Sequence, residues 1–547
     1  MIRRFTLLVL GLVLALSLKA QDWRDELLAQ NVGVIDSVVQ VEDTKYALDT
    51  YSAYMIFYNQ PLQHDAPEAG SISLRALLMV NNKNSDFYDS VIQMSIGGYE
   101  IDPGIINVPC IWADEYSCTF SSGEVAGKYR GHIIMPEHRF YGQSRPDNYK
   151  TLLSHCNAKE AADDFHALAE AMKKVFNGKW AITGTSKGGV ATAIQHAYYP
   201  EDADLFVPYV GPILNGIGDL RPQEYWLTKA WTPEMREHAM NIQKGILNHP
   251  KVLEYYCKFK SMDITEGQKP ENLYEFLYNT ACVLDEPTHQ EHDRSEVEKY
   301  FTDNQKFIES EGLTDYSDEM LGYIISGKNY IIGSEFKDYV EFYFRDDNNL
   351  TRSIIDGQAD PHRDVIYTYQ RITELGYFDL KWDYYYDTQA QADSVNSLWK
   401  SFIPHVVLYN APEEFRSLEY DPSLMNFIKQ QTAQAKKPIL FIYGEDDPWT
   451  GACIDDEYVN GTNVRKYILP AQCHTASIYD IKDSDRALKD ELNDFIRAAL
   501  FPSPDGISEV NDEPTAAPAG IVFDQQNRRI VIRRNGQEYD VMGKKVF

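Results

Sequence analysis

The sequence predicts an α/β fold, and three observations lead there. Strand and helix patterns alternate from about residue 52 to 215. They give way over 216–400 to helical, Trp- and Tyr-rich stretches with few buried strands. The strand pattern then resumes at Pro438–Tyr443 and Val464–Leu469. Strands alternating with helices imply a parallel sheet with helices on its faces.

In chain order, strands are expected at Tyr54–Tyr58, Ile72–Val80, Val91–Ile96 and His132–Met135. A helix follows over Ala158–Phe176, where Ala162, Phe165, Leu168, Ala169, Met172 and Phe176 recur at helical spacing and Gly178 stops the run. Trp180–Thr183 reads as a strand, Val190–Tyr199 as a helix ended by Pro200, and Leu205–Val210 as a strand. The long interruption places a cap over the strand C-terminal ends, where ligands bind in such sheets. The expected division is a leader at 1–20, first core part 21–215, helical cap 216–400, second core part 401–502, linker 503–520 and small β tail 521–547. The tail alternates apolar and polar residues around an Asn535-Gly536 turn.

The chain has 547 residues, 44% apolar and 24% charged, which is globular composition with room for an enzyme-sized core. Residues 1–20 carry two arginines, an apolar run from Phe5 to Leu18 and Ala20 before Gln21-Asp22, the layout of a secretory signal. No other stretch is long and apolar enough to suggest a membrane span. Loss of that leader removes Arg3, Arg4 and Lys19 and no acid, which takes the formal charge from −30 to −33. So acidic a chain argues against nucleic acid or an anionic membrane as partner; it serves solubility in the first reading and, in the second, suits a cationic substrate such as a peptide with a free amino terminus. Export permits disulfides; Cys110 with Cys118 and Cys257 with Cys282 are plausible local pairs. The seven cysteines show no CxxC spacing, so no structural zinc is implied.

The strongest local signal is Gly184-Thr185-Ser186-Lys187-Gly188, a G-x-S-x-G between a strand and a helix. Glycines flank the serine because its backbone is strained in a sharp turn that lifts Oγ above the sheet. This elbow specifies the α/β fold further as an α/β-hydrolase fold with a large, mostly helical cap inserted between core strands and a small β C-terminal tail. It requires an acid and then a histidine later in the chain. Asp447, in the turn after Phe441-Ile442-Tyr443, is the chosen acid, with Glu445 and Asp446 as neighbours in competition. His474 is the only histidine after Asp447. The oxyanion hole is expected to combine the Lys187 amide with that of Gly98 or Tyr99, in the glycine-rich loop after the third core strand. No metal or organic cofactor is implied, since such a triad needs none.

Four further segments resemble one peptidase clan. Tyr58-Asn59-Gln60-Pro61-Leu62-Gln63-His64 looks like the Q-P-L-D-H entry segment of the lysosomal Pro-X carboxypeptidase and dipeptidyl peptidase family, with Gln63 as a departure. Glu137–Pro146 resembles its E-H-R-[YF]-[YF]-G-x-S-x-P, Gln370–Tyr377 its Q-x-x-T-E-x-G-[YF], and Asp447-Pro448-Trp449 its D-P-W. The elbow Ser186-Lys187-Gly188-Gly189 is closer to the sister family of secreted bacterial tripeptidyl and tetrapeptidyl aminopeptidases. The resemblance implies a serine exopeptidase that releases short peptides from free N-termini, often with proline near the cut. It also implies a carboxylate that pairs with the substrate ammonium, because a buried unpaired charge is expensive. Glu374 is the first candidate, with Glu100 and Glu137 behind it. An esterase or lipase on the same scaffold is the alternative, and an inactive binding protein the third reading.

Overall fold

The computed structural model describes residues 23–41, 51–101, 124–248, 263–269, 362–408, 411–479, 481–502, 520–524, 529–534 and 537–539, together with 257, 272 and 277, apart from isolated positions inside those ranges. The expected leader, residues 503–519 of the linker, the Asn535-Gly536 turn, Cys110, Cys118, Cys282 and residues 278–361 of the expected cap lie outside the described residues. The chain divides into two compact units, Met1–Ile496 and Arg497–Phe547.

In the first unit nine strands form one sheet. They are β1 (Ile35–Gln40), β2 (Tyr51–Pro61), β3 (Ser71–Asn81), β4 (Ile92–Ser95), β5 (His132–Pro136), β6 (Trp180–Thr185), β7 (Leu205–Tyr209), β8 (Ile439–Gly444) and β9 (Val464–Leu469), in the order β1-β2-β3-β5-β4-β6-β7-β8-β9. From β5 through β4 to β9 all neighbours are parallel. Four of the inner strands, β4, β5, β7 and β8, are buried at every position, which is why they read as nearly unbroken apolar runs. The expectation of a wholly parallel sheet needs correction at one edge, where β1–β2, β2–β3 and β3–β5 are antiparallel. The link 62–70 is too short for the crossover that parallel neighbours require, so β2 and β3 form a hairpin. The edge strand β1 was not foreseen; only Ile35 of its six residues is buried, so it carries little apolar alternation.

The longer described helices in chain order are α1 (Trp23–Gln30), α2 (Glu124–Tyr129), α3 (Ala158–Lys173), α4 (Lys187–Tyr198), α5 (Arg221–Thr228), α6 (Pro233–Asn248), α7 (Arg363–Gln370), α8 (Gln389–Phe402), α9 (Ser423–Ala433) and α10 (Arg486–Leu500), beside a single turn of helix at Ile264–Gly267. Helix α3 starts where Asn157 Oδ1 accepts the Glu160 amide, and it buries Ala161, Phe165, Leu168 and Met172. It stops at Lys173, one turn short of the expected Phe176, because the chain bends there to bring Gly178 against the Ser90 carbonyl, where a Cβ would not fit. Of the expected cap, the described parts hold α5 to α8 and the short helix Ile264–Gly267. None of the described helices is long and apolar enough to cross a membrane.

One buried cation ties the hairpin to the core. Arg139 is fully buried and donates Nε and Nη2 to Asp164 of α3, at 2.6 and 2.7 Å. Its remaining bonds go to the carbonyls of Pro61, Leu62 and His155. Among the described residues Cys156, Cys257, Cys453 and Cys473 are free thiols; the partner expected for Cys257, Cys282, lies outside them. The second unit holds a three-stranded antiparallel sheet, β10 (Gly520–Asp524), β11 (Arg529–Arg534) and β12 (Gln537–Tyr539), the last two strands flanking Asn535-Gly536.

Candidate active site

Ser186 lies between β6 and α4 with φ +57° and ψ −119°, a conformation L-residues adopt only under constraint. The constraint is visible in the surroundings. The Ser186 amide donates to the Tyr209 carbonyl at 2.9 Å, and its own carbonyl accepts from Val190 at 3.0 Å. A Cβ on Gly188 would overlap the Ile96 carbonyl oxygen, and one on Gly184 would overlap that of Gly188. The turn is thus wedged between β4, β6 and β7, and only glycine fits on its flanks. Lys187 is the first residue of α4, so its amide is one of the unpaired donors of a helix N-terminus.

Asp447 and His474 arrive from loops after β8 and β9. The Ser186 hydroxyl lies 2.9 Å from His474 Nε2, and His474 Nδ1 lies 2.8 Å from Asp447 Oδ2. With the proton on Nδ1, the imidazole donates to the carboxylate and accepts from the serine. Asp447 is fully buried, and its other oxygen accepts the Trp449 amide at 2.9 Å. The two competing acids have other duties. Glu445 accepts the Ala471 amide at 2.9 Å, which pins the histidine loop, and Asp446 accepts the Trp231 amide at 2.9 Å. Ala471 and Trp231 both have positive φ, so these carboxylates hold strained backbone in place.

The structure also brings Gly98 and Tyr99 to the elbow. Gly98 has φ +78°, and a Cβ there would stand 3.0 Å from the Gly188 nitrogen. Among the described residues, the amides of Gly98, Tyr99 and Lys187 have no protein acceptor. The Tyr99 carbonyl accepts from the His138 amide at 3.0 Å.

The three expected ammonium-binding acids separate clearly. Glu137 is a correction: it is fully buried and saturated, accepting Arg75 Nε and Nη2 at 2.8 and 2.6 Å, the Ile101 amide at 3.1 Å and the Ser144 amide at 2.8 Å. It braces the loop after β5 and has no lone pair left for an ammonium. Glu100 is paired through Oε1 with Arg363 at 3.2 Å, while Oε2 is buried without a partner. Glu374 points both oxygens at one donor, the amide of Ala158 at the start of α3, at 2.9 and 3.1 Å. That helix end favours negative charge. Burial nevertheless outweighs it and pushes the Glu374 carboxyl up from 4.5 to about 7, with the Ala158 bond and the positive Lys187 acting in the opposite direction. Glu374 lies on a π-helical turn, Arg371–Leu375, that follows α7. Such turns are rare and are frequently found at functional sites. The turn ends at Gly376 (φ +79°), packed against Gly216, whose carbonyl accepts the Tyr377 amide at 2.9 Å.

Two features escaped sequence reading. Tyr377, Phe378 and Trp449 form one aromatic cluster, with ring centroids 4.7 to 5.8 Å apart, two residues beyond the acid. The D-P-W motif pointed to Trp449 but not to its partners from the cap. The second is the buried environment of the Lys187 side chain.

Comparison with known proteins now bears on this geometry. Residues 17–267 match the family model described as PS-10 peptidase S37. The prolyl tri/tetrapeptidyl aminopeptidase of Streptomyces mobaraensis is 23% identical over 441 residues, 77% of this chain and 76% of that protein. The chain is a serine peptidase. Among solved structures, this peptidase is similar to the proline iminopeptidase of Mycobacterium smegmatis, at 12% identity and TM-score 0.30, over 78% of this chain and 97% of the other. The peroxisomal α/β-hydrolase Lpx1 of Saccharomyces cerevisiae matches at 11% identity and TM-score 0.33, over 84% and 92%. The match to prolyl oligopeptidase B of Galerina marginata (17% identity, TM-score 0.23) spans 31% of this peptidase and only 22% of that longer chain.

Proposed function

We propose that this peptidase is an exported serine aminopeptidase that removes tri- or tetrapeptides from free N-termini, with a preference for proline at the cut. The observation that carries the reading is the continuous relay Ser186–His474–Asp447 on a strained elbow. His474 takes the Ser186 proton as Oγ bonds to the scissile carbonyl carbon. The resulting oxyanion is held by the amide of Lys187 and an amide of Gly98 or Tyr99. His474 then gives its proton to the leaving nitrogen as the C–N bond breaks, and water repeats the sequence on the acyl-enzyme.

Glu374 supports the exopeptidase part of the reading. Its single donor leaves capacity for an ammonium, and an arriving cation offsets the cost of ionising this buried carboxyl. The aromatic surface of Tyr377, Phe378 and Trp449 suits the compact apolar ring of a proline. Export rests on the leader at residues 1–20.

The test uses Ala-Ala-Pro- and Ala-Pro- chromogenic peptides, free and N-acetylated, beside p-nitrophenyl esters. Release from free-amine peptides, lost in Ser186→Ala, supports the proposal. Hydrolysis of esters without any peptide makes the protein an esterase. Failure to react with a fluorophosphonate probe makes it a binding protein on a hydrolase scaffold.

A further inference from the structure

Sequence reasoning gives Lys187 a role through its backbone alone. Its side chain does something unusual. The residue is 5% exposed, and the ammonium is buried beneath the oxyanion loop. Nζ donates to the Gly98 carbonyl at 2.6 Å and to the Tyr141 hydroxyl at 2.8 Å. Three aromatic faces surround it, with ring centroids of Tyr141, Tyr99 and Tyr367 at 4.1, 4.6 and 5.3 Å. No carboxylate lies within ion-pair distance of Nζ among the described residues. Burial accordingly holds its pKa well below the ordinary lysine range.

Keeping a cation there without a counter-ion is costly, and a lysine so placed is expected to do more than fill space. A methionine would fill that space without the desolvation cost. What the ammonium adds is a short charge-assisted bond to one carbonyl. That carbonyl belongs to Gly98, the residue with φ +78° whose backbone has the greatest freedom to turn. A peptide unit is planar, so fixing the Gly98 carbonyl fixes the Tyr99 amide, and with it the orientation of the chain at Gly98. The other end of the loop is held independently, by the His138 amide on the Tyr99 carbonyl and by Glu137 on the Ile101 amide. Tyr141 completes the support, passing its own proton to Gln370 at 2.9 Å.

We propose that the Lys187 side chain is a positioning residue for the oxyanion hole: one residue donates to the oxyanion through its amide and clamps the loop bearing the second donor through its ammonium. The inference rests on the serine acyl-transfer reading above, but not on the peptide being the substrate, since an oxyanion hole serves esters equally. The geometry is a built clamp between the elbow and the loop after β4, made by the same side chain that follows the nucleophile. Preorganised donors act because they need no rearrangement as charge develops. A loop freed at Gly98 would have to be ordered at each turnover.

The experiment compares wild type, Lys187→Met and Tyr141→Phe on a free-amine Ala-Ala-Pro anilide and on p-nitrophenyl acetate. It also compares affinity for a peptide boronate, which forms a tetrahedral adduct, with affinity for the cleaved product peptide. Lys187→Met keeps the backbone amide and should lower kcat roughly 10²-fold on both substrates, the scale of losing one oxyanion donor, with KM within about threefold. Boronate affinity should fall in parallel while product affinity stays. Tyr141→Phe, which leaves the ammonium and its bond to Gly98, should fall between, near tenfold, and guards against misfolding of the first variant. The proposal is overturned if kcat on p-nitrophenyl acetate is unchanged in both variants, or if KM rises while kcat holds, which would make the side chain a substrate contact. Wild-type inactivity on every peptide with retained ester hydrolysis would refute the aminopeptidase reading and leave the clamp to be decided on the ester.

Discussion

Glu374→Gln should make the protein less active and, increasingly as pH rises above about 4.5, more stable. The carboxyl is raised from 4.5 to about 7, chiefly by burial. Below pH 4.5 it is protonated in both the folded and the unfolded chain and contributes no pH dependence. Between 4.5 and about 7 the unfolded chain has released the proton and the folded chain has not, so stability falls as pH rises. Above about 7 the full cost of the buried charge remains. At about 1.36 kcal/mol per pKa unit, this amounts to up to about 3 kcal/mol. Glutamine keeps the shape and an acceptor for the Ala158 amide, and it cannot ionise. Melting should therefore be measured at pH 4.5 and pH 8.5. The variant should match wild type at the lower pH and melt at higher temperature at the upper one. At pH 8.5 its kcat/KM on free-amine peptides should drop roughly 10²-fold or more, the scale of unpairing a buried ammonium, with hydrolysis of p-nitrophenyl acetate nearly unchanged. Equal stabilisation at both pH values would remove charge as the cause. A variant that melts lower at pH 8.5 would show that Glu374 is a structural ion-pair partner and refute the reasoning.

Other consequences are simpler. Asp447→Asn should fold normally and lose about 10⁴-fold in kcat, because an amide no longer holds the imidazole with its proton on Nδ1; kcat with circular dichroism as control checks this. Gly188→Ala places a methyl against the Ile96 carbonyl and should abolish labelling by a fluorophosphonate, while Gly461→Ala, with open space around it but φ +72°, should retain full labelling and cost only the roughly 1–2 kcal/mol of left-handed backbone strain. Arg139→Met removes the buried partner of Asp164 and strips donors from three carbonyls, so it should destabilise by about 3–5 kcal/mol, read as a lowered denaturation midpoint at unchanged active-site titre per folded molecule.

Part of the site was legible because local backbone chemistry dictates it. The elbow needs glycines where β4 and β7 press on it, and those glycines stand in the sequence as G-x-S-x-G. Chain order then left one histidine, and the acidic turn 445–447 narrowed the acid to three residues. Choosing among them was a tertiary matter. All three acids stand side by side, and only the arrival of Ala471, Trp231 and His474 from distant parts of the chain gives each its partner.

The inner strands and the helices α3 and α4 likewise declared themselves, through burial on both faces or through period, whereas the exposed edge strand β1 carries almost no apolar signal. A sequence records which residue types can occupy a strained turn or a buried face, because those preferences are intrinsic to each residue. It does not record how long-range packing shares out hydrogen-bond capacity. That is why Glu137, Glu100 and Glu374 look alike in the chain but differ in the fold: one is saturated by four donors, one is held by Arg363, and one is buried with a single amide for company. Burial and partner count set the charge and availability of a carboxylate, and both come into being only when distant segments meet.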